Sequence, residues 1–166
     1  DVSGWLEKEV EGSLSRLKKN SIHGLLVHHA ESLEGAMGQK LGLALTKMKS
    51  SGLVKKVGVS IYQPSVLDVV TENAAIDIVQ APFNVVDRSI MSSGWLDKLN
   101  NAGIEVHVRS IFMQGLLLMD RPCIPDKFKR WSALWDYWHE NLNNHSFDAL
   151  TQCVSFANSY SNIDRL

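Results

Sequence analysis

The chain has 166 residues, a length that suits one domain over residues 1–166 or part of a larger one. Its composition, 45% hydrophobic and 21% charged residues, is typical of a globular protein. The formal net charge of −1 argues against nucleic-acid and anionic-membrane partners, which require a basic surface, and no apolar run approaches the roughly 18–20 residues of a membrane span. The two cysteines lack metal-binding spacing and are interpreted as free thiols of a cytoplasmic protein.

Helical patterns and short apolar runs alternate along the chain. Apolar residues spaced by three and four positions predict a first helix over Ser3–Lys19 and a second that ends at Ser51-Gly52. Pro64 begins a third helix, and a fourth is predicted over Ser92–Asn101. Runs rich in Val, Ile and Leu, typical of parallel strands covered on both faces, predict four strands: Gly24–His28, Lys56–Ser60, Ile76–Gln80 and Glu105–Arg109.

The alternation stops after the fourth strand. A stretch rich in Pro, Trp and Met contains a predicted helix over Lys127–Asn141, and one face of this helix carries Trp131, Trp135 and Trp138. We expect the tryptophans to pack this helix onto the domain; the alternative is a substrate wall or a subunit contact. A last helix is predicted over Phe147–Tyr160, and residues 162–166 resemble the approach to a further strand.

The regular order of helices and strands predicts a parallel sheet with right-handed crossover helices. Two architectures fit, an open doubly wound sheet and part of an eight-stranded (β/α)8 barrel. Four strands do not close a barrel, so the outer strands would present unpaired backbone groups. We interpret the chain, which begins with Asp1, as a piece of a longer polypeptide. The alternatives are a short chain that self-associates through its exposed sheet edges, and an open sheet.

Polar residues follow each predicted strand. In a parallel α/β sheet these ends lie on one side, where barrels carry the active site and open sheets bind ligands. Polar strand ends also occur as plain exits into solvent, but four in succession favour a site. The residues are His28-His29, Ser60, Gln80 and Arg109-Ser110.

Several other site classes lack their motifs. Neither GxGxxG after the first strand, nor GxxxxGK[ST], nor GxSxG is present, which argues against Rossmann, P-loop and serine-hydrolase sites. His28, His29 and His107 have no acidic residue at ligand spacing, so no metal site is predicted. His107, inside a strand, is interpreted as a core histidine or a support to the site. The remaining histidines, His23, His139 and His145, are interpreted as structural.

Four segments, taken in order, resemble the aldo-keto reductase family: Leu25–His28, Val57–Ser60, Asp77–Arg88 and Arg109–Leu117. The resemblance covers nearly the whole chain. It implies a (β/α)8 TIM barrel of which this chain supplies about four parallel strands with their crossover helices. It also implies reduction of an aldehyde or ketone, a small-molecule carbonyl substrate, by hydride transfer from NADPH, with NADH as the alternative.

The resemblance implies roles for individual residues. His28 would be catalytic, donating a hydrogen bond to the carbonyl oxygen, on which negative charge develops as hydride arrives. His29 would shape the pocket. Ser60 and Gln80 would hydrogen-bond the nicotinamide carboxamide, and the Arg109 guanidinium would stack on the nicotinamide ring. The loop around the cofactor pyrophosphate would contain the other cofactor-binding residues, Ser110, Phe112, Gln114 and Gly115.

The chain also departs from the family pattern. Ile61 stands where the family usually has Asn, Ala30 lies where a proline is common, and Ile111 replaces a proline. The family places its catalytic tyrosine, lysine and aspartate on earlier βα units, and its adenosine-phosphate segment after a final strand. Tyr62, Tyr137 and Tyr160 do not match the tyrosine, so the chain alone is expected to be inactive. The alternatives are a non-catalytic binding or regulatory protein on this scaffold, and an unrelated doubly wound protein.

Overall fold

The computed structural model describes all residues from Asp1 to Leu166. Four parallel strands form one sheet in chain order, so their carboxyl ends lie on one side. This confirms the predicted parallel sheet with crossover helices, although the bounds of three strands shift by one or two residues at one end or both. The strands are β1 Ile22–Val27, β2 Val54–Ser60, β3 Ile78–Pro82 and β4 Glu105–Arg109.

Helices connect the strands and continue after β4. The α-helices are α1 Val2–Leu17, α2 Gly35–Ser50, α3 Leu67–Asn73, α4 Ser89–Ser92, α5 Trp95–Asn101, α6 Ser132–His145 and α7 Ala149–Asn158. Short 3₁₀ segments cover Ala30–Leu33, Pro64–Val66, Met113–Leu118, Arg121–Cys123 and Asp126–Trp131. No helix is both long enough and apolar enough to cross a bilayer.

Two predicted helices differ from the structure. The one expected over Ser92–Asn101 is divided at Gly94, whose left-handed φ of 77° ends α4 before α5 begins. The one expected over Lys127–Asn141 begins as a 3₁₀ segment and becomes α-helical only at Ser132. A 3₁₀ helix has about three residues per turn, which rotates Trp131 away from the face of the other two tryptophans. Trp131 is therefore exposed, and the prediction of one shared face is wrong for it.

The two faces of the sheet differ in polarity because successive side chains of a strand point to opposite faces. The residues on the helix side belong to one buried apolar cluster: Val57, Val59, Ile61, Val79, Ala81, Phe83, Val106 and Val108. The alternate residues on the opposite face include several polar and charged ones: Lys56, Ser60, Gln80, Glu105, His107 and Arg109. The main core therefore lies between the sheet and its helices, and the polar groups lie on the other side.

The two edges of the sheet differ. No residue of β1 is buried, so the expectation of strands covered on both faces is wrong for β1, which has no strand beyond it. The outer edge of β4 is paired with the C-terminal tail. The Val108 N–H donates to the Arg165 carbonyl at 2.8 Å, the Asp164 N–H donates to the Val106 carbonyl at 2.9 Å, and the pairing is parallel. The tail is thus the approach to a further strand, as predicted.

Asp77 joins three strands and a helix at the amino ends of the strands. Its Oδ2 accepts a hydrogen bond from the Val57 N–H at 3.0 Å, and its Oδ1 accepts one from Lys49 Nζ at 2.6 Å. Its backbone carbonyl accepts a hydrogen bond from the Glu105 N–H at 2.9 Å. Burial acts to raise the pKa of Asp77, but the hydrogen bonds from Lys49 and Val57 prevail and hold it below its ordinary value of 3.8.

We predict that Asp77→Asn destabilises the fold at neutral pH by about 0.5–1.5 kcal/mol, because the partly exposed carboxylate loses charge-assisted bonds. The folded-state pKa lies below the unfolded one, so the contribution of Asp77 is complete above pH 3.8 and is lost as pH falls through the folded value. Urea unfolding of the native and variant chains at neutral and acid pH measures it, and their difference should shrink in acid. Asp120→Asn, at an exposed carboxylate, is the control; an equal effect of both substitutions would contradict the prediction.

Candidate functional site

A serine and a glutamine form a pair at the carboxyl ends of β2 and β3. The register places Ser60 opposite Gln80, and the Ser60 hydroxyl donates to Gln80 Oε1 at 3.2 Å. Ser60 is only 4% exposed, which limits the positions open to its hydroxyl. The hydroxyl engages the carbonyl end of the Gln80 amide, which leaves the amide NH₂ group as the donor of the pair.

Arg109 ties the end of β4 to the loop after β2. Its Nη2 donates to the Ile61 carbonyl at 3.0 Å, and its Nη1 lies 3.4 Å from Ser110 Oγ. The guanidinium lies over the Tyr62 ring at 4.5 Å from the centroid, a cation–π contact. The Ile61 side chain is buried in the helix-side core, so this residue meets the site only through its carbonyl.

The two histidines follow the last residue of β1. The register pairs Val27 with Val59, which brings His28 level with Ser60. Both imidazoles are exposed, and their rings meet edge to face at a centroid distance of 4.8 Å. His28 thus lies on the predicted side of the sheet, where it contacts His29, while side-chain contacts connect Ser60 with Gln80 and Arg109 with Ser110.

The loop after β4 contains an unusual run of left-handed residues. Ser110 has φ 59°, and Met113, Gln114 and Gly115 follow with φ values of 49°, 59° and 87°. The loop curls back on itself through bonds from the Met113 N–H to the Ser110 carbonyl and from the Gly115 N–H to the Phe112 carbonyl, at 2.8 and 2.9 Å. Successive N–H groups in turns of this kind form concavities that suit anions. The glycine is explained by its φ, which strains other residues.

Asn84 joins the loops after β3 and β4. Its side chain is 3% exposed, and its Nδ2 donates to the Ser110 carbonyl at 3.1 Å. Its Oδ1 accepts hydrogen bonds from the N–H groups of Val86 and Asp87 at 2.9 and 2.8 Å. The sequence shows only an asparagine after an apolar run, which is typical of a local turn. It does not reveal the bond to Ser110, 26 residues away.

The tryptophans of α6 support the same loop. Trp135 and Trp138 belong to a second apolar cluster that includes Leu116 and Leu117. Trp138 Nε1 donates to the Leu117 carbonyl at 3.1 Å, and both rings are buried. The expected packing role therefore holds for these two tryptophans, and their partner is the loop after β4.

A second polar group lies nearer the amino ends of the strands, on the face opposite the helices. His23 Nε2 and His107 Nε2 lie 3.2 and 3.0 Å from Glu105 Oε2, and Lys56 Nζ donates to Glu105 Oε1 at 2.5 Å. The hydrogen bonds from Lys56, then from His23, lower the pKa of Glu105 to about 2 despite its burial. Spacing along the chain hides this acidic partner, since His23 and Glu105 are 82 residues apart. The alternation of Glu105 and His107 along β4 is the signal that points to it.

These features together define a class of protein. A parallel α/β sheet with polar side chains at the carboxyl ends of its strands is typical of (β/α)8 barrels, whose active sites lie at that end. The family model described as Aldo/keto reductase family matches residues 3–161, and the chain belongs to this family.

Solved structures of the family share the fold. The glycerol dehydrogenase AKR11B4 from Gluconobacter oxydans superposes with a TM-score of 0.74 at 21% identity, over 100% of this chain and 55% of that one. An aldo/keto reductase from Klebsiella pneumoniae, in complex with NADP and acetate, gives 0.67 at 15% identity, over 97% and 53%. The apo aldo-keto reductase AKR11C1 from Bacillus halodurans gives 0.61 at 21% identity, over 72% and 41%.

The chain therefore spans about half the length of the solved structures that it matches most fully. A search of curated protein sequences finds no match.

We predict that Asn84→Ala destabilises the chain by about 1–3 kcal/mol, because two partly buried backbone N–H groups lose their acceptor and the Ser110 carbonyl loses one of its two donors. Amide hydrogen exchange of residues 110–115 should accelerate more than that of β2, since the lost Nδ2 bond ends at Ser110. Asn100→Ala, at an exposed position on α5, is the matched control. Unchanged exchange in the loop with normal stability would contradict a positioning role for Asn84.

Proposed function

We propose that this chain supplies the carbonyl-orienting and nicotinamide-facing part of an enzyme that reduces an aldehyde or ketone with NADPH, or with NADH as the alternative. Membership of the aldo/keto reductase family supports oxidoreductase activity, and one related structure contains NADP. The observation that carries the proposal is the Ser60–Gln80 pair beside Arg109 at the carboxyl ends of the strands.

The residues at this end fit a nicotinamide cofactor. The amide NH₂ of Gln80, left free by the bond from Ser60, would donate to the nicotinamide carboxamide, and the planar Arg109 guanidinium would stack on the ring. The loop that contains Phe112 and Gln114 would hold the pyrophosphate. At Gly115 no atom lies within 4 Å of where a Cβ would stand, so the backbone is open to a ligand. The cofactor would supply hydride to the carbonyl carbon.

His28 would act on the substrate. As hydride reaches the carbonyl carbon, negative charge develops on the oxygen, and a preset N–H donor stabilises this charge more than it stabilises the neutral carbonyl. A neutral imidazole can be this donor. The exposed His28 ring at the end of β1, level with Ser60, has the access that this role requires. His29, edge-on to it, would restrict its rotation.

The carbonyl oxygen must also receive a proton, which the family takes from a tyrosine on an earlier βα unit. The tyrosines of this chain have other partners or positions: Tyr62 lies beneath Arg109, Tyr160 packs against Phe83, and Tyr137 is exposed on α6. We therefore propose that the 166-residue chain does not turn over a carbonyl substrate by itself.

A non-catalytic binding or regulatory protein on the same scaffold is the second candidate. Ile61 favours it, because the family usually has asparagine there and the isoleucine side chain is buried in the core, where it contacts no ligand. The two candidates differ in activity, because only the first gains it when the proton donor is present.

We predict that the chain quenches or shifts NADPH fluorescence on binding and that Gln80→Ala weakens this binding by roughly threefold to tenfold, the value of one hydrogen bond. His28→Gln should leave NADPH affinity unchanged, because His28 is assigned to the substrate. Gln39→Ala, at an exposed glutamine on α2, is the matched control. Equal affinities of the native and Gln80→Ala chains would contradict the proposed cofactor site.

Activity separates the remaining alternatives. NADPH-dependent reduction of an aromatic aldehyde by the 166-residue chain would overturn the expectation that it is inactive alone. Absence of reduction in the longest natural polypeptide that contains the chain, with NADPH bound, would favour the non-catalytic candidate.

We also propose that the unpaired edge of β1 permits self-association, since the outer edge of β4 already pairs with the tail. Size-exclusion chromatography with mass measurement should then show a mass that rises with concentration. A thermally stable monomer at all concentrations would contradict it.

Free Cys123 and Cys153 agree with the proposed cytoplasmic location.

A further inference from the structure

The cluster formed by His23, Glu105 and His107 connects the two outer strands of the sheet. His23 lies on β1 and the other two on β4, and these strands are separated by β2 and β3 in the sheet order. One possible ligand atom of each side chain lies within 4.8 Å of the others. The curvature of the sheet therefore brings two imidazoles and a carboxylate to one point.

The spacing of these atoms matches a metal coordination sphere. Bonds of about 2.0–2.2 Å to zinc, arranged tetrahedrally, place neighbouring donor atoms about 3.3–3.6 Å apart. The two imidazole Nε2 atoms lie 3.2 and 3.0 Å from the same carboxylate oxygen, Glu105 Oε2. Small movements of three side chains would thus replace two hydrogen bonds with three metal bonds.

The types of donor select the class of ion. Two imidazoles and one carboxylate form the set that holds zinc where a fourth position stays open, whereas calcium and magnesium prefer oxygen donors alone. Lys56 binds the other carboxylate oxygen, Oε1, so it can keep Glu105 ionised and oriented without occupying Oε2. Its charge opposes a bound cation and makes the site weaker than it would be without the lysine.

An open cavity adjoins the cluster and offers access to it. The cavity has a volume of ≈ 460 Å³ and is lined by His23, Gly24, Leu26, Ile78, His107 and Arg165. A fourth ligand could therefore reach the ion from this side. Arg165 at the same cavity favours an anionic fourth ligand, such as hydroxide or a carboxylate.

We propose that His23, Glu105 and His107 bind a divalent transition-metal ion of the zinc class. The bound ion would connect β1 to β4, which share no backbone pairing. The site is independent of the proposed reductase function, because its ligands lie away from the carboxyl ends of the strands.

Cobalt(II) and zinc(II) added to the metal-free chain at about pH 7.5 test the proposal. We expect one Co²⁺ per chain with visible d–d bands of low coordination number, displaced by Zn²⁺. Zinc at about a hundredfold excess over Kd should raise Tm by roughly 5–10 °C.

Three substitutions are expected to change the affinity for Zn²⁺, two by weakening it and one by strengthening it. His23→Gln, at an exposed position, should weaken Zn²⁺ binding at least about tenfold, since loss of even a group that orients a ligand costs about 10–100-fold. His107→Ala should do the same. Lys56→Met should strengthen binding at least about fivefold by removing a nearby positive charge. His145→Gln, at an exposed histidine of α6, is the matched control.

The outcomes separate a metal site from a hydrogen-bonded cluster. Absence of stoichiometric Co²⁺ binding to the native chain overturns the proposal. Binding that is unchanged in His23→Gln and His107→Ala also overturns it, because the ion would then occupy other histidines, such as His28 and His29. If His107→Ala does not fold, the exposed His23→Gln variant and the opposite effect of Lys56→Met still decide the matter.

Discussion

Because successive side chains of a β-strand point to opposite faces, each strand of this sheet must satisfy two environments. The helix-facing positions of β2, β3 and β4 are apolar and fully buried, and they join the sheet to its helices in a single core. Burial of this kind contributes about 25 cal/mol per Å² of apolar area, which makes the helix-facing positions the main source of stability. The positions on the opposite face do not have to be apolar. They include the polar side chains found at both ends of the sheet: Lys56, Ser60, Gln80, Glu105, His107 and Arg109.

At the carboxyl ends, rigid elements hold a loop that is itself irregular. The left-handed residues of the loop after β4 are individually unfavourable for non-glycine side chains. They are kept in place by the Asn84 amide on one side and by the Trp138 indole on the other, each of which binds a backbone carbonyl of the loop. The tryptophan-rich segment after β4, which is outside the alternating βα pattern, therefore acts as the support of the proposed cofactor loop.

The polar face also connects strands that are not adjacent in the sheet. Glu105 accepts hydrogen bonds from groups on β1, β2 and its own strand, so its one carboxylate connects strands that are not neighbours. The tail adds a parallel pairing beyond β4 through Arg165. The Glu105 contacts lie toward the amino ends of the strands, and the tail pairs with the middle of β4, so the carboxyl ends, with His28 and Gln80, remain free for ligand chemistry.

The sequence alone determined the four strands, most of the helices, the family and the side of the sheet to which His28, Ser60, Gln80 and Arg109 belong. These follow from periodicity and from motifs within short segments, which depend on local order. Only the tertiary structure decided which distant residues meet, as with the Asn84–Ser110 bond and the exposed position of Trp131. It also decided that Glu105 lies between His23 and His107. Such contacts depend on the strand order and curvature of the sheet, and spacing along the chain does not encode either one.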